Sequence, residues 1–77
     1  MIRYRLRELM ADYQFRNDTR LTFDELAKKT SIHRTTLSKI ANHKGYNTTT
    51  DNIDQLCKFF ECEVGDLMEY VEESSNQ

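Results

Sequence analysis

Seventy-seven residues make one domain and no more, and a chain of this size buries only about 60% of its unfolded surface, so its core must be small and well packed. With no Pro and two Gly, the composition disfavours a turn-rich β-sandwich and leaves room for several short helices. The net charge of −2 speaks against a polyanion partner until it is divided: residues 1–48 hold ten Lys or Arg against five acids, and residues 49–77 hold Lys58 against eight. Either a basic face meets a polyanion while an acidic remainder turns away, or an ordinary solvated surface happens to segregate its charges.

In chain order, Ile2, Leu6, Leu9, Met10 and Tyr13 recur at helical spacing and predict a first helix, with Arg3, Arg5, Arg7 and Asp12 elsewhere on its surface. Asn17-Asp18-Thr19 breaks the stripe, so residues 14–21 read as a loop. Thr22 followed three residues later by Glu25 is a capping box. Phe23, Leu26 and Ala27 then form the inner face of a second helix that ends near Lys29 or Thr30, where two lysines suit the negative helix end. Leu37 and Ile40 mark the buried side of a third helix, beginning at His33 or Arg34 and stopping near Asn42, with Gly45 just beyond. Residues 46–50 read as a loop leading to a cap at Thr49 or Thr50. Ile53, Leu56, Cys57 and Phe60 outline a fourth helix, and Val64, Leu67, Met68 and Val71 a short fifth. The expected architecture is an all-α, five-helix domain over residues 1–71, followed by a polar tail, 72–77, that frays.

The informative stretch is Leu21–Lys44: two short helices joined by a tight break make a helix-turn-helix unit. Such a unit needs a small residue at the crossing (Ala27), a buried turn residue (Ile32) and apolar seats for the second helix (Leu37, Ile40). Arg34, Thr35, Ser38, Lys39 and Asn42 are then left facing outward, all capable of hydrogen bonding and none acidic, as a phosphate-lined groove requires.

Leu26-Ala27-Lys28-Lys29-Thr30-Ser31-Ile32-His33-Arg34-Thr35-Thr36-Leu37-Ser38-Lys39-Ile40 resembles the Cro and lambda-repressor-like (XRE-type) helix-turn-helix regulators, whose motif often reads L-A-x-x-x-G-V-S-x-x-T-[LI]-S-[RK]-[IL]. Ile53, Leu56, Cys57, Phe60, Val64 and Leu67 resemble the same family's fourth and fifth helices, so the likeness covers roughly residues 2–70. The resemblance implies that Arg34, Thr35, Ser38 and Lys39 face bases in the major groove. It also implies that Thr22, His33, Thr36, Asn42, His43 and Lys44 lie near phosphates. The chemistry agrees: Arg and Lys reach guanine O6 and N7, and Thr offers a hydroxyl and a methyl. The loop around Tyr46–Thr49 offers further backbone-positioning contacts. Three positions depart from the pattern. Ser31 stands where the family has a turn glycine, His33 where it has a serine cap, and Phe23 where a phosphate-binding Gln is frequent.

The leading expectation is a sequence-specific, double-stranded-DNA-binding regulator, a repressor from a bacterium or its phage. It would act as a homodimer on half-sites about 34 Å apart. The competing one is an antitoxin or other interaction module on the same scaffold, meeting a basic partner through Asp66, Glu69, Glu72 and Glu73. Arg3, Arg5 and Arg7 suit DNA-backbone contacts but fit plain surface slightly better. Cys57 and Cys62 lack zinc-finger spacing with His33 and His43 and read as reduced, small buried hydrophobes. Tyr4, Tyr13, Phe59 and Phe60 read as core or dimer contacts rather than base-stacking platforms. No nucleophile elbow, phosphate loop or carboxylate pair points to catalysis, so neither an enzyme nor a cofactor is expected. No run approaches the roughly 20 apolar residues of a membrane span. The basic start leads into no apolar signal core, so a soluble cytoplasmic protein without a membrane partner is expected.

Overall fold

The computed structural model describes residues 1–72. The elements run β1 (Ile2–Tyr4), α1 (Leu6–Asn17), α2 (Phe23–Thr30), α3 (Arg34–Asn42), α4 (Thr50–Phe60), α5 (Val64–Leu67) and β2 (Met68–Tyr70). The fold is therefore mostly helical, with five helices, but not all-α: β1 and β2 pair antiparallel, Ile2 opposite Tyr70, Arg3 opposite Glu69 and Tyr4 opposite Met68. The expected tail falls partly outside this range, since residues 73–77 are not described.

Two corrections come from this sheet. The first helix begins at Leu6, not Ile2, and the fifth is a single turn that stops at Leu67 rather than running to Val71. Ile2-Arg3-Tyr4 alternates apolar and polar, a pattern that suits period two as well as a helical stripe, and the partner strand decides between them. Backbone bonds extend the pairing at both ends: Arg5 N–H donates to Leu67 O at 2.6 Å and Val71 N–H to Met1 O at 2.8 Å. Across the ladder, Glu69 receives Arg3 Nη1 and Arg5 Nη2, each at 3.0 Å. A further correction concerns residues 14–17, expected as loop, which form the last turn of α1. The apolar stripe lapses there because the turn faces solvent, with Phe15 85% exposed. The Gln14 side chain ties the end down, donating to Met10 O at 3.1 Å and accepting from Leu21 N–H at 3.1 Å.

Caps set the middle of the chain as the sequence predicts. Thr22 Oγ1 accepts from Glu25 N–H at 3.2 Å, which is one arm of the capping box, and Thr49 Oγ1 accepts from Asn52 N–H at 3.1 Å. The α2–α3 turn is closed by Thr30, a buried residue whose hydroxyl donates to Leu26 O (2.7 Å) and accepts from Ile32 N–H (3.3 Å). Around it lies one core, to which every helix contributes: Leu6 and Met10 from α1, Leu26 from α2, Leu37 and Ile40 from α3, Ile53, Leu56 and Phe60 from α4, and Leu67 from α5. Tyr13, Phe59 and Phe60 pack ring to ring beside it, so these aromatics serve the α1–α4 contact.

Ser31 ends α2 in the left-handed region at φ 62°, ψ 24°, the conformation that the family's usual glycine would accept without a Cβ penalty. Its N–H still donates to Ala27 O at 2.8 Å. Ser31→Gly is therefore expected to raise stability by about 0.5–1 kcal/mol, and Tm by a few degrees in a domain of this size. Thermal melting followed by circular dichroism checks this; a lowered Tm would mean that the serine side chain contributes more than the strain costs.

Candidate nucleic-acid interface

The outward surface is built from α3. Leu37, 0% exposed, and Ile40, 2% exposed, seat it on the core. At 100° per residue, Arg34, Thr35, Ser38, Lys39 and Asn42 then fall within an arc of about 140° on the opposite side. The structure brings these five together: Arg34, Thr35, Lys39 and Asn42 are exposed and Ser38 half-buried. None is acidic, and the helix contains no carboxylate. Thr36 lies half-buried at the edge of the arc.

His33 starts the helix by an unusual route. Its Nδ1 accepts from Thr35 N–H at 3.1 Å, doing with a ring nitrogen what a serine hydroxyl does elsewhere. That bond turns the other ring nitrogen, Nε2, into the free one. Thr22, by contrast, spends its hydroxyl on capping α2.

The far end of α3 is tied to α1. Arg7 Nε donates to Asn42 Oδ1 at 3.0 Å, with a second, shorter contact from Nη2, and Asn42 Nδ2 donates in turn to Ser38 Oγ at 3.3 Å. The Arg7 guanidinium also sits 5.9 Å from the Phe23 ring centroid, so one cation bridges α1, α2 and α3. Arg7, whose sequence fits plain surface slightly better than a DNA-backbone contact, is thus held against α3, and the polar side-chain atoms of Asn42 are engaged within the protein. Nothing in the sequence couples positions so far apart.

Beyond α3, Gly45 turns the chain at φ 66°. The Tyr46 ring is stacked against His43 at 6.2 Å and lies 6.0 Å from Lys39 Nζ. Tyr46 is held from behind, since Tyr4 Oη donates to its carbonyl at 2.7 Å; burial, and then the neighbouring Tyr46 hydroxyl, push the Tyr4 phenol above its ordinary range. An edge tied to β1 by this bond thus follows the helix, and Lys44 on it is exposed.

The charge division looks different in three dimensions. Arg3 and Arg5 are spent on Glu69, Arg3 also meets Glu8, and Arg16 meets Asp12. Among the described residues, Arg7, Arg20, Lys28, Lys29, Lys39, Lys44 and Lys58 make no ion pair, whereas Arg34 lies 3.1 Å from Asp24. Of these, Lys28 and Lys29 belong to α2, Lys39 to α3 and Lys44 to the segment just after it, while Arg7 is the one in the first helix.

Cys57 and Cys62 are free and half-buried. Burial, followed by the neighbouring Cys57, Asp66 and Glu63, pushes the Cys62 thiol up to about 11, so it stays protonated at neutral pH and reacts slowly. Among the described residues no group of three or more His, Cys, Asp or Glu converges as a metal site, and no helix is long and apolar enough to cross a membrane.

Comparison with known proteins agrees with this geometry. No curated protein matches the chain. The family model for the Cro/C1-type HTH DNA-binding domain matches residues 5–73, which takes in both helices of the motif and the two that follow. The chain belongs to the Cro/C1-type HTH DNA-binding domain family.

Proposed function

We propose that this chain is a sequence-specific transcriptional regulator, a cytoplasmic repressor that inserts α3 into the major groove of its operator as a homodimer. The observation that carries the reading is the acid-free outward arc of α3 in a chain with 13 acids. Arg34, Thr35, Ser38 and Lys39 read base edges, Arg34 as the bidentate partner of a guanine. His33, Thr36, His43 and Lys44 meet phosphates on either side, while Thr22 and Asn42 act mainly by holding the two helices in place.

Selection of bound sequences from a random duplex library tests this. The expected result is a two-fold consensus with half-site centres about 34 Å apart. Failure to enrich any sequence at low salt would overturn it. That outcome would favour an interaction module through the acidic half, where Asp66 and Glu72 are exposed, Glu69 is engaged with Arg3 and Arg5, and Glu73 lies outside the described residues. A separate measurement addresses the phosphate edge. Lys44→Ala is expected to weaken specific and random duplexes about equally and to lower the salt slope by about one unit. A loss confined to one sequence would instead move Lys44 to the bases.

A further inference from the structure

Asp24 is the second residue of α2 and Arg34 the first of α3, and their side chains meet across the turn, Arg34 Nε 3.1 Å from Asp24 Oδ1. Both remain largely exposed, 68% and 69%, so in water the pair is screened and adds little to folding. Where the contact falls is more telling. Because Asp24 takes the Nε side, both Nη nitrogens of Arg34 are left without a partner among the described residues. A carboxylate on this side of the molecule also works against DNA binding in general, since it faces the phosphates that the neighbouring lysines attract.

Resting on the reading of α3 as the groove-facing helix, we propose that Asp24 is a positioning residue that sets specificity at the base pair read by Arg34. It holds the guanidinium from the Nε side, so that the Nη edge is presented to guanine O6 and N7. Where guanine is present, closing the interface removes water from the ion pair and strengthens it. Where guanine is absent, Arg34 can turn to a phosphate only by leaving Asp24 uncompensated in the field of the backbone. The correct site is thus favoured, and the wrong one penalised, by the same carboxylate.

The test measures binding against salt for three duplexes: the selected site, the same site with that G·C pair replaced by A·T, and a random sequence. The proteins are the unsubstituted chain, Asp24→Ala, Asp24→Asn, Arg34→Ala and the Asp24→Ala/Arg34→Ala double variant, each checked for folding by its Tm. Both Asp24 variants are expected to bind the random duplex several-fold more tightly, with a salt slope steeper by about 0.9 as Arg34 turns to a phosphate. Discrimination at the G·C pair is expected to fall about tenfold. In the Arg34→Ala background, Asp24→Ala should change that discrimination no further, a non-additivity that marks the two as one unit. If Asp24 only supported the start of α2, its loss would lower Tm and weaken all three duplexes in parallel, which overturns the proposal. Unchanged discrimination in both Asp24 variants, with Arg34→Ala still losing it, overturns the proposal while leaving the groove reading intact. If Arg34→Ala itself keeps every preference, the groove reading and the proposal fall together.

Discussion

Leu37→Ala is expected to remove a large share of the stability of this domain. Leu37 is 0% exposed and, with Ile40, is what seats α3 on the core. Truncating a buried Leu loses its transfer free energy and leaves a cavity that the surroundings fill only partly, together about 2–5 kcal/mol. At the usual stability per residue, a chain of 77 residues has roughly 4–12 kcal/mol in all. The substitution therefore consumes a large share of the total, and a drop in Tm on the order of 15 °C is expected. Thr35→Ala, on the exposed arc of the same helix, should change stability by no more than about 0.5 kcal/mol. Parallel melts of the two variants separate the faces of α3. Similar melting of both would mean that the helix is not seated through Leu37.

Arg34→Ala carries the second large effect, on recognition rather than folding. A bidentate arginine–guanine pair contributes about 1–3 kcal/mol of discrimination, so affinity for the selected site should fall by roughly 5- to 150-fold. Random duplexes should lose far less, because they seldom place a guanine edge in register with Arg34. Tm should stay nearly constant, since the ion pair broken, with Asp24, is exposed. Competition binding with matched and mismatched duplexes checks this. Equal losses on both would make Arg34 a phosphate contact and leave Ser38 or Lys39 to read sequence.

The residues that set the central motif were legible because their signals are local. A cap is decided within four positions, as at Thr22 and Thr49, and a helix face within eight, as with Leu37 and Ile40. The turn was legible through Ile32 and the helices on either side, whereas the left-handed conformation of Ser31 is signalled only by the glycine that the resembled family carries there. His33 stands where the family has a serine cap, and its ring nitrogen makes the capping bond in the serine's place. Thr30 was passed over, although a β-branched hydroxyl that can bond back to the carbonyl four residues earlier is a signal that local reading can use.

The helix-turn-helix is written into neighbouring residues: its length, its buried side and the outward arc of α3. The two strands and the pairing of charges follow instead from how remote segments meet in space. Three alternating residues at Ile2–Tyr4 satisfy a helix or a strand equally, and the choice belongs to a partner strand at the opposite end of the described chain, with Arg3 and Glu69 separated by 66 positions. The arginines of the first segment belong with acids that no local pattern links to them, and Arg7 belongs with Asn42 across 35 positions. Periodicity and capping are properties of neighbouring residues, so a sequence displays them directly. Strand pairing and ion pairing depend on distance in space, which appears only once the core has brought remote segments together.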